Sequence, residues 1–299
     1  MAKLKRFISN EKNTKVFDAV KDSLRGLARE IKASNKVKDE LARGKNQGEI
    51  YKWNMQWRPD NKIFLYYKGV SLRVKLNAAS KKDCFRLEVS ESIKKRAEEN
   101  GERFFENSYS LAEMNQTVIA AMKWFEAEIS NFKGPARQKE RREEQAIAGA
   151  LETNMDFLII DMEVVVGGLK EKPEGDLLAL AKNGNGSYSF VPIELKIAGQ
   201  DCSTARMQVD VFAKIINEEN EKNKLFTNNY QKVYAQKRAV GIIDGPENIE
   251  ITGLGEYALV VILNENGIYS SKHVMGEFAP IKELHITRED FISLKWLAK

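Results

Sequence analysis

Cysteine is almost missing. Cys84 and Cys202 are the only two in 299 residues, far apart and without metal-ligand spacing, which excludes a disulfide framework and a cysteine zinc site. Histidine is as scarce: His273 and His285 are the two present, and neither stands in a motif with a nucleophile or a second ligand. Serine and cysteine triads, zincins and histidine-metal nucleases are thereby excluded. Any metal would be held by carboxylates, a donor set that suits magnesium or manganese. No apolar run approaches the roughly 20 residues that span a bilayer. The opening Met-Ala-Lys-Leu-Lys-Arg leads into a polar stretch instead of a signal-peptide core, so a cytoplasmic protein without membrane contact is expected. There is no P-loop, and Val166-Gly167-Gly168 lacks the strand–turn–helix setting of a dinucleotide site.

What is present is ordinary globular material, 42% apolar and 30% charged, enough to bury a sizeable core. The net charge of +5 splits unevenly, about +11 over residues 1–150 and about −6 over 151–299. A basic half beside an acidic one fits a phosphate-binding region next to a carboxylate metal site. It also fits two ordinary solvated surfaces.

The first half reads as α+β. Val16, Val20, Leu24, Leu27 and Ile31 recur at helical spacing over 15–32, and a weaker helical stretch continues to about Leu41 before Gly44–Gly48. From Tyr51 the period becomes two. Tyr51, Trp53, Met55 and Trp57 alternate with polar residues, Pro59-Asp60-Asn61 turns the chain, and Ile63–Lys68, Leu72–Leu76 and Phe85–Val89 supply further strands. The meander is expected to carry Lys52, Arg58, Arg73 and Lys75 outward as a nucleic-acid platform, or as plain solvated cations. A helix over 110–132 follows, opened by Ser110. Gly134-Pro135 then marks a boundary between domains 1–133 and 134–299.

In the second half a charged helix, 136–151, precedes strands at 157–166, 176–181 and 187–196, a helix at 204–217 and a strand at 257–263. The order is αβββαβ. Glu194 and Lys196 stand two apart on one strand, so they share a face while Leu195 points to the core. Asp176, on the preceding strand, can bring its carboxylate beside them. Two acids and a lysine suit phosphodiester hydrolysis: the carboxylates hold a hard cation, with the Leu195 carbonyl as a further ligand, and the ammonium adds charge near the phosphate. The acid-x-Lys pattern also occurs at Glu30–Lys32 in a helix and Asp60–Lys62 in a turn. Those contexts make both of them decoys.

On these residues the segment 136–265 resembles the core of the PD-(D/E)xK, or restriction-endonuclease-like, nuclease superfamily. The resemblance implies an α/β fold, a mixed sheet flanked by helices, preceded here by the basic α+β domain. It implies a magnesium- or manganese-dependent nuclease acting on DNA, with RNA less favoured, in which Asp176 and Glu194 bind the metal and Lys196 assists the attacking water. Gly175 stands where the family usually has proline. The family's helix glutamate falls among Glu140, Glu143 and Glu144, with Glu144 placed best as metal ligand. Gln208, one turn before Phe212, is similar to a glutamine–aromatic motif that supports the metal-site strand, with Phe in place of Tyr. A homodimer or a protein partner fits equally. The rival expectation is a non-catalytic nucleic-acid- or partner-binding protein on the same fold.

Overall fold

The computed structural model describes residues 3–4, 6–7, 16–44, 51–77, 84–130, 137–168, 174–200, 202–264 and 269–297. Gly134-Pro135 lies outside them. The chain divides into two units, one of residues 6–145 and 236–244, the other of 1–5, 146–235 and 245–299. The expected single cut at 133/134 is therefore replaced by a division after Gln145, with a short C-terminal segment returning to the N-terminal unit.

In the N-terminal unit α1 (Val16–Gly44) is one uninterrupted helix, covering both helical stretches read from the sequence. Val20, Leu24 and Leu27 are fully buried on its apolar stripe. Four antiparallel strands follow, β1 (Asn54–Arg58), β2 (Lys62–Tyr67), β3 (Val70–Asn77) and β4 (Cys84–Glu88). Asp60 and Asn61 close the first hairpin at φ 63° and 56°, a left-handed conformation those side chains tolerate. Then come α2 (Glu91–Glu99), a short edge strand β5 (Ser108–Ser110) and α3 (Met114–Ser130). The carboxylate of Glu113 accepts from the Ser110 N–H at 3.0 Å and fixes the start of that last helical stretch.

One face of the sheet carries Met55, Trp57, Ile63, Leu65, Leu72, Val74, Phe85 and Leu87, all buried. The other face departs from expectation at β1, where Asn54, Gln56 and Arg58 are buried too. Gln56 donates to Asn54 Oδ1 at 2.9 Å and accepts from Lys237 Nζ at 2.9 Å. Lys237 is wholly buried. Alternating polar residues read as solvent-facing. Here they satisfy one another, which removes most of the cost of burying them. Arg58 likewise donates to Tyr66 Oη at 3.0 Å and to the Trp57 carbonyl at 3.0 Å, and Lys52 is half-buried ahead of β1. Arg58, buried with these partners, is thus not presented outward as expected.

Helix α4 (Arg137–Leu151) leads into the second unit. There follow β6 (Phe157–Val165), β7 (Glu174–Lys182), β8 (Tyr188–Ile197), α5 (Cys202–Asn223), α6 (Leu225–Ala239), β9 (Ile251–Leu254), β10 (Ala258–Leu263), β11 (Ser270–Met275), β12 (Pro280–Ile286) and α7 (Arg288–Ile292). The sheet runs β11-β12-β10-β8-β7-β6, with β9 also paired to β8. It is mixed, antiparallel across β6–β7–β8 and parallel across β8–β10–β12. Pro192 sits in the middle of this sheet because β8 changes neighbour there, from β9 at Phe190 to β10 at Ile193, so its missing N–H costs little. Among the described residues no helix is long and apolar enough to cross a membrane.

Helix α5 lays Ala205, Val209 and Ala213 on Ala258, Val260, Ile262 and Ile281 of β10 and β12. Midway along that helix the Phe212 ring presses on Gly175 of β7, where any Cβ would overlap it. The glycine beside Asp176, in the place of the family's proline, is what this ring requires. Gly175→Ala should therefore destabilise the fold by about 2 kcal/mol. Adding Phe212→Leu should recover part of that loss in a thermal melt; additive losses in the double variant would show the ring to be irrelevant.

Candidate active site

Asp176 and Glu194 lie just past the last regular pair of the β7–β8 ladder, Leu177↔Ile193. With ladder bonds ended, the Leu195 N–H donates to Asp176 Oδ2 at 2.8 Å. That bond holds the Asp176 carboxylate against β8. Lys196 Nζ donates to Glu194 Oε1 at 2.8 Å and to the Leu195 carbonyl at 3.0 Å, and stands 3.8 Å from Asp176 Oδ2. The three residues singled out from sequence converge around one ammonium, and the Leu195 carbonyl faces the same point.

Glu194 is only 2% exposed. Burial, and then the negative charge of Asp176, push its carboxyl up to about 8, against the opposing pull of Lys196. The sheet itself supplies a contrast. Val260 of β10 pairs with Glu194 on one side and with Glu283 of β12 on the other, so the two glutamates share a row and a face. Glu283 is as buried, at 1%, but accepts from Arg206 Nε at 2.6 Å and lies 2.8 Å from Lys272 Nζ and 2.9 Å from His285 Nε2. Burial raises its carboxyl, yet those three donors together hold it down at about 2. Glu194 instead has the Asp176 carboxylate beside it, with Lys196 shared between the two acids.

The donors gathered here are two carboxylates and a backbone carbonyl, hard oxygens suited to magnesium or manganese. They fit such an ion, because it would relieve the repulsion that raises Glu194.

The other expected residues fare differently. On α4, Glu143 and Glu144 are buried, at 7% and 5%, and Glu140 is half-buried. Glu140 and Glu144, one turn apart, bring carboxylate oxygens within 4.8 Å of each other. Gln208 does not support the site strand. It is exposed on α5 and makes no side-chain hydrogen bond among the described residues, since the buried stripe of α5 runs through Ala205, Val209, Phe212 and Ile216. Asp161 is buried and accepts from Tyr230 Oη at 2.9 Å. Sequence reasoning missed the Leu195–Asp176 bond and the Glu283 cluster. The first depends on where a ladder stops, and the second on strands β11 and β12, which are too short and polar to be read as such.

Compared with protein-family models, with curated proteins and with solved structures, the chain matches none.

Proposed function

We propose that the protein is a metal-dependent nuclease that hydrolyses phosphodiester bonds in DNA, with Asp176 and Glu194 as metal ligands and Lys196 as the residue that assists attack. The observation that carries this reading is the convergence of the buried Glu194 carboxylate and the half-buried Asp176 carboxylate on the Lys196 ammonium. An idle site gains nothing by gathering two like charges, whereas a cation-binding site needs them. The run α4, β6, β7, β8, α5 supports it as well, although α6 and β9 stand between α5 and β10, where the expected order αβββαβ has nothing. In that likeness the helix glutamate falls among Glu140, Glu143 and Glu144, with Glu144 first and Glu143 second. A bound magnesium or manganese ion would lower the pKa of a water and offset charge on the scissile phosphate.

Each residue then has one task. Asp176, held through Oδ2 by the Leu195 N–H, would supply its carboxylate to the metal. Glu194, whose carboxyl burial and Asp176 push up to about 8, would bind it as the carboxylate. Lys196 would direct its ammonium to the attacking water and the phosphate oxygens. The test is incubation of the purified chain with linear and circular DNA in magnesium or manganese. Metal-dependent loss of substrate is expected, and no cleavage of any DNA or RNA in either metal would overturn the assignment.

A further inference from the structure

On the face of the N-terminal sheet opposite its apolar core, the registers align basic residues from successive strands. Lys62 of β2 pairs with Lys75 of β3, and Lys75 with Arg86 of β4. Directly paired residues share a face, so the three form a row across the sheet, one strand spacing of about 5 Å between neighbours. In the next row Arg73 pairs with Phe64 and with Glu88. Lys62, Arg73 and Lys75 are half-buried and Arg86 is exposed. No described carboxylate is bonded to Lys62, Lys75 or Arg86. Like charges set directly opposite one another on adjacent strands repel, yet this fold stacks three, and the row runs on to the buried Arg58 of β1, which pairs with Lys62.

The arginines are held in place. The Arg86 Nε–H donates to Ser108 Oγ at 2.9 Å. The Arg73 guanidinium lies 5.0 Å from the Phe64 ring centroid and donates to Ser71 Oγ at 3.4 Å. Guanidiniums fixed by a ring and a hydroxyl lose less freedom when they meet an anion. A linear row of cations with preset arginines complements a linear array of anions at regular spacing, which is a phosphodiester backbone. An acidic protein offers no such repeat. Phe64 is engaged with Arg73, so the surface contacts phosphates, not stacked bases.

We infer that the row Lys62–Lys75–Arg86, flanked by Arg73, binds the phosphate backbone of a nucleic-acid strand without regard to sequence. This differs from the platform expected from sequence, because Arg58 and Lys52 are replaced by Lys62 and Arg86. It is independent of the nuclease reading.

The probe is a fluorescein-labelled 20-nucleotide oligo(dT), and a mixed-sequence duplex of equal length, titrated by anisotropy in EDTA at several salt concentrations. The triple variant Lys62→Gln, Lys75→Gln, Arg86→Gln should bind about tenfold more weakly at low salt. Its plot of log affinity against log salt on the single strand should be shallower by about 2, the share of three lost phosphate contacts. A charge-retaining triple variant, Lys62→Arg, Lys75→Arg, Arg86→Lys, should keep the wild-type slope, which separates charge from any damage to the fold. Unchanged affinity and slope in the Gln variant, absence of wild-type binding, or equally tight binding of poly-glutamate would each overturn the inference. Because the assay contains no metal, binding with no cleavage elsewhere would sink the nuclease reading alone, and cleavage with an unaltered slope would sink this one alone.

Discussion

Lys196→Ala should lower metal-dependent cleavage by about a hundredfold to a thousandfold while leaving manganese binding at or above the wild-type level. Glu194→Ala should lose both. The difference follows from the contacts at the site. Lys196 Nζ sits 2.8 Å from Glu194 Oε1 and 3.8 Å from Asp176 Oδ2, so without metal the ammonium is the cation that both acids share. Removing it deletes a competitor for the metal position and leaves both acid ligands intact, but also removes the positive charge needed when the phosphate is attacked. Removing Glu194 deletes a ligand. Affinity for uncleaved DNA should survive either change, since neither residue lies in the basic row of the N-terminal sheet. Calorimetric titration with manganese beside a cleavage time course reads out both halves, and equal cleavage by wild type and both variants would place the activity elsewhere.

The parts of this site that were legible in the sequence are those that depend on strand periodicity alone. Glu194 and Lys196 had to share a face because they are two apart on an apolar strand, and that strand is β8. Asp176 was readable from the Gly-containing hairpin, Asn183-Gly184-Asn185-Gly186, that returns β7 to β8. What failed was reading that needed a neighbour. Gln208 looked like a partner of the site strand by spacing from Phe212, but which side of α5 is buried was decided by Ala205 and Val209 packing on β10. Arg58 looked solvent-facing because it is charged. It is buried, with a hydrogen-bond partner supplied from another strand, Tyr66. The departure from the family pattern at Gly175 was visible in sequence but had no cause there. Its cause is the Phe212 ring, from a helix some way along the chain.

The second large effect concerns stability. Glu194→Gln should make the metal-free protein more resistant to unfolding at alkaline pH, by roughly 5 kcal/mol near pH 9, although the substituted residue belongs to the site. In the folded protein burial and Asp176 raise the Glu194 carboxyl from its ordinary 4.5 to about 8. Below the ordinary value both folded and unfolded chains carry the proton. Between there and about 8 the unfolded chain ionises while the folded one does not, so wild-type stability falls steadily as pH rises through that window and levels off above it. Glutamine does not titrate, and its stability curve lacks this slope. At pH 5 the two proteins should thus melt close together, and the gap should open with each step upward. Manganese should reverse the order. A metal that binds only the folded wild type adds about 2.7 kcal/mol at a hundred times its dissociation constant, whereas the variant, short of one charged ligand, should gain much less. Parallel wild-type and variant curves from pH 5 to 9 would mean that Glu194 already ionises freely in the folded protein, and a variant stabilised by manganese as strongly as wild type would remove Glu194 from the metal position.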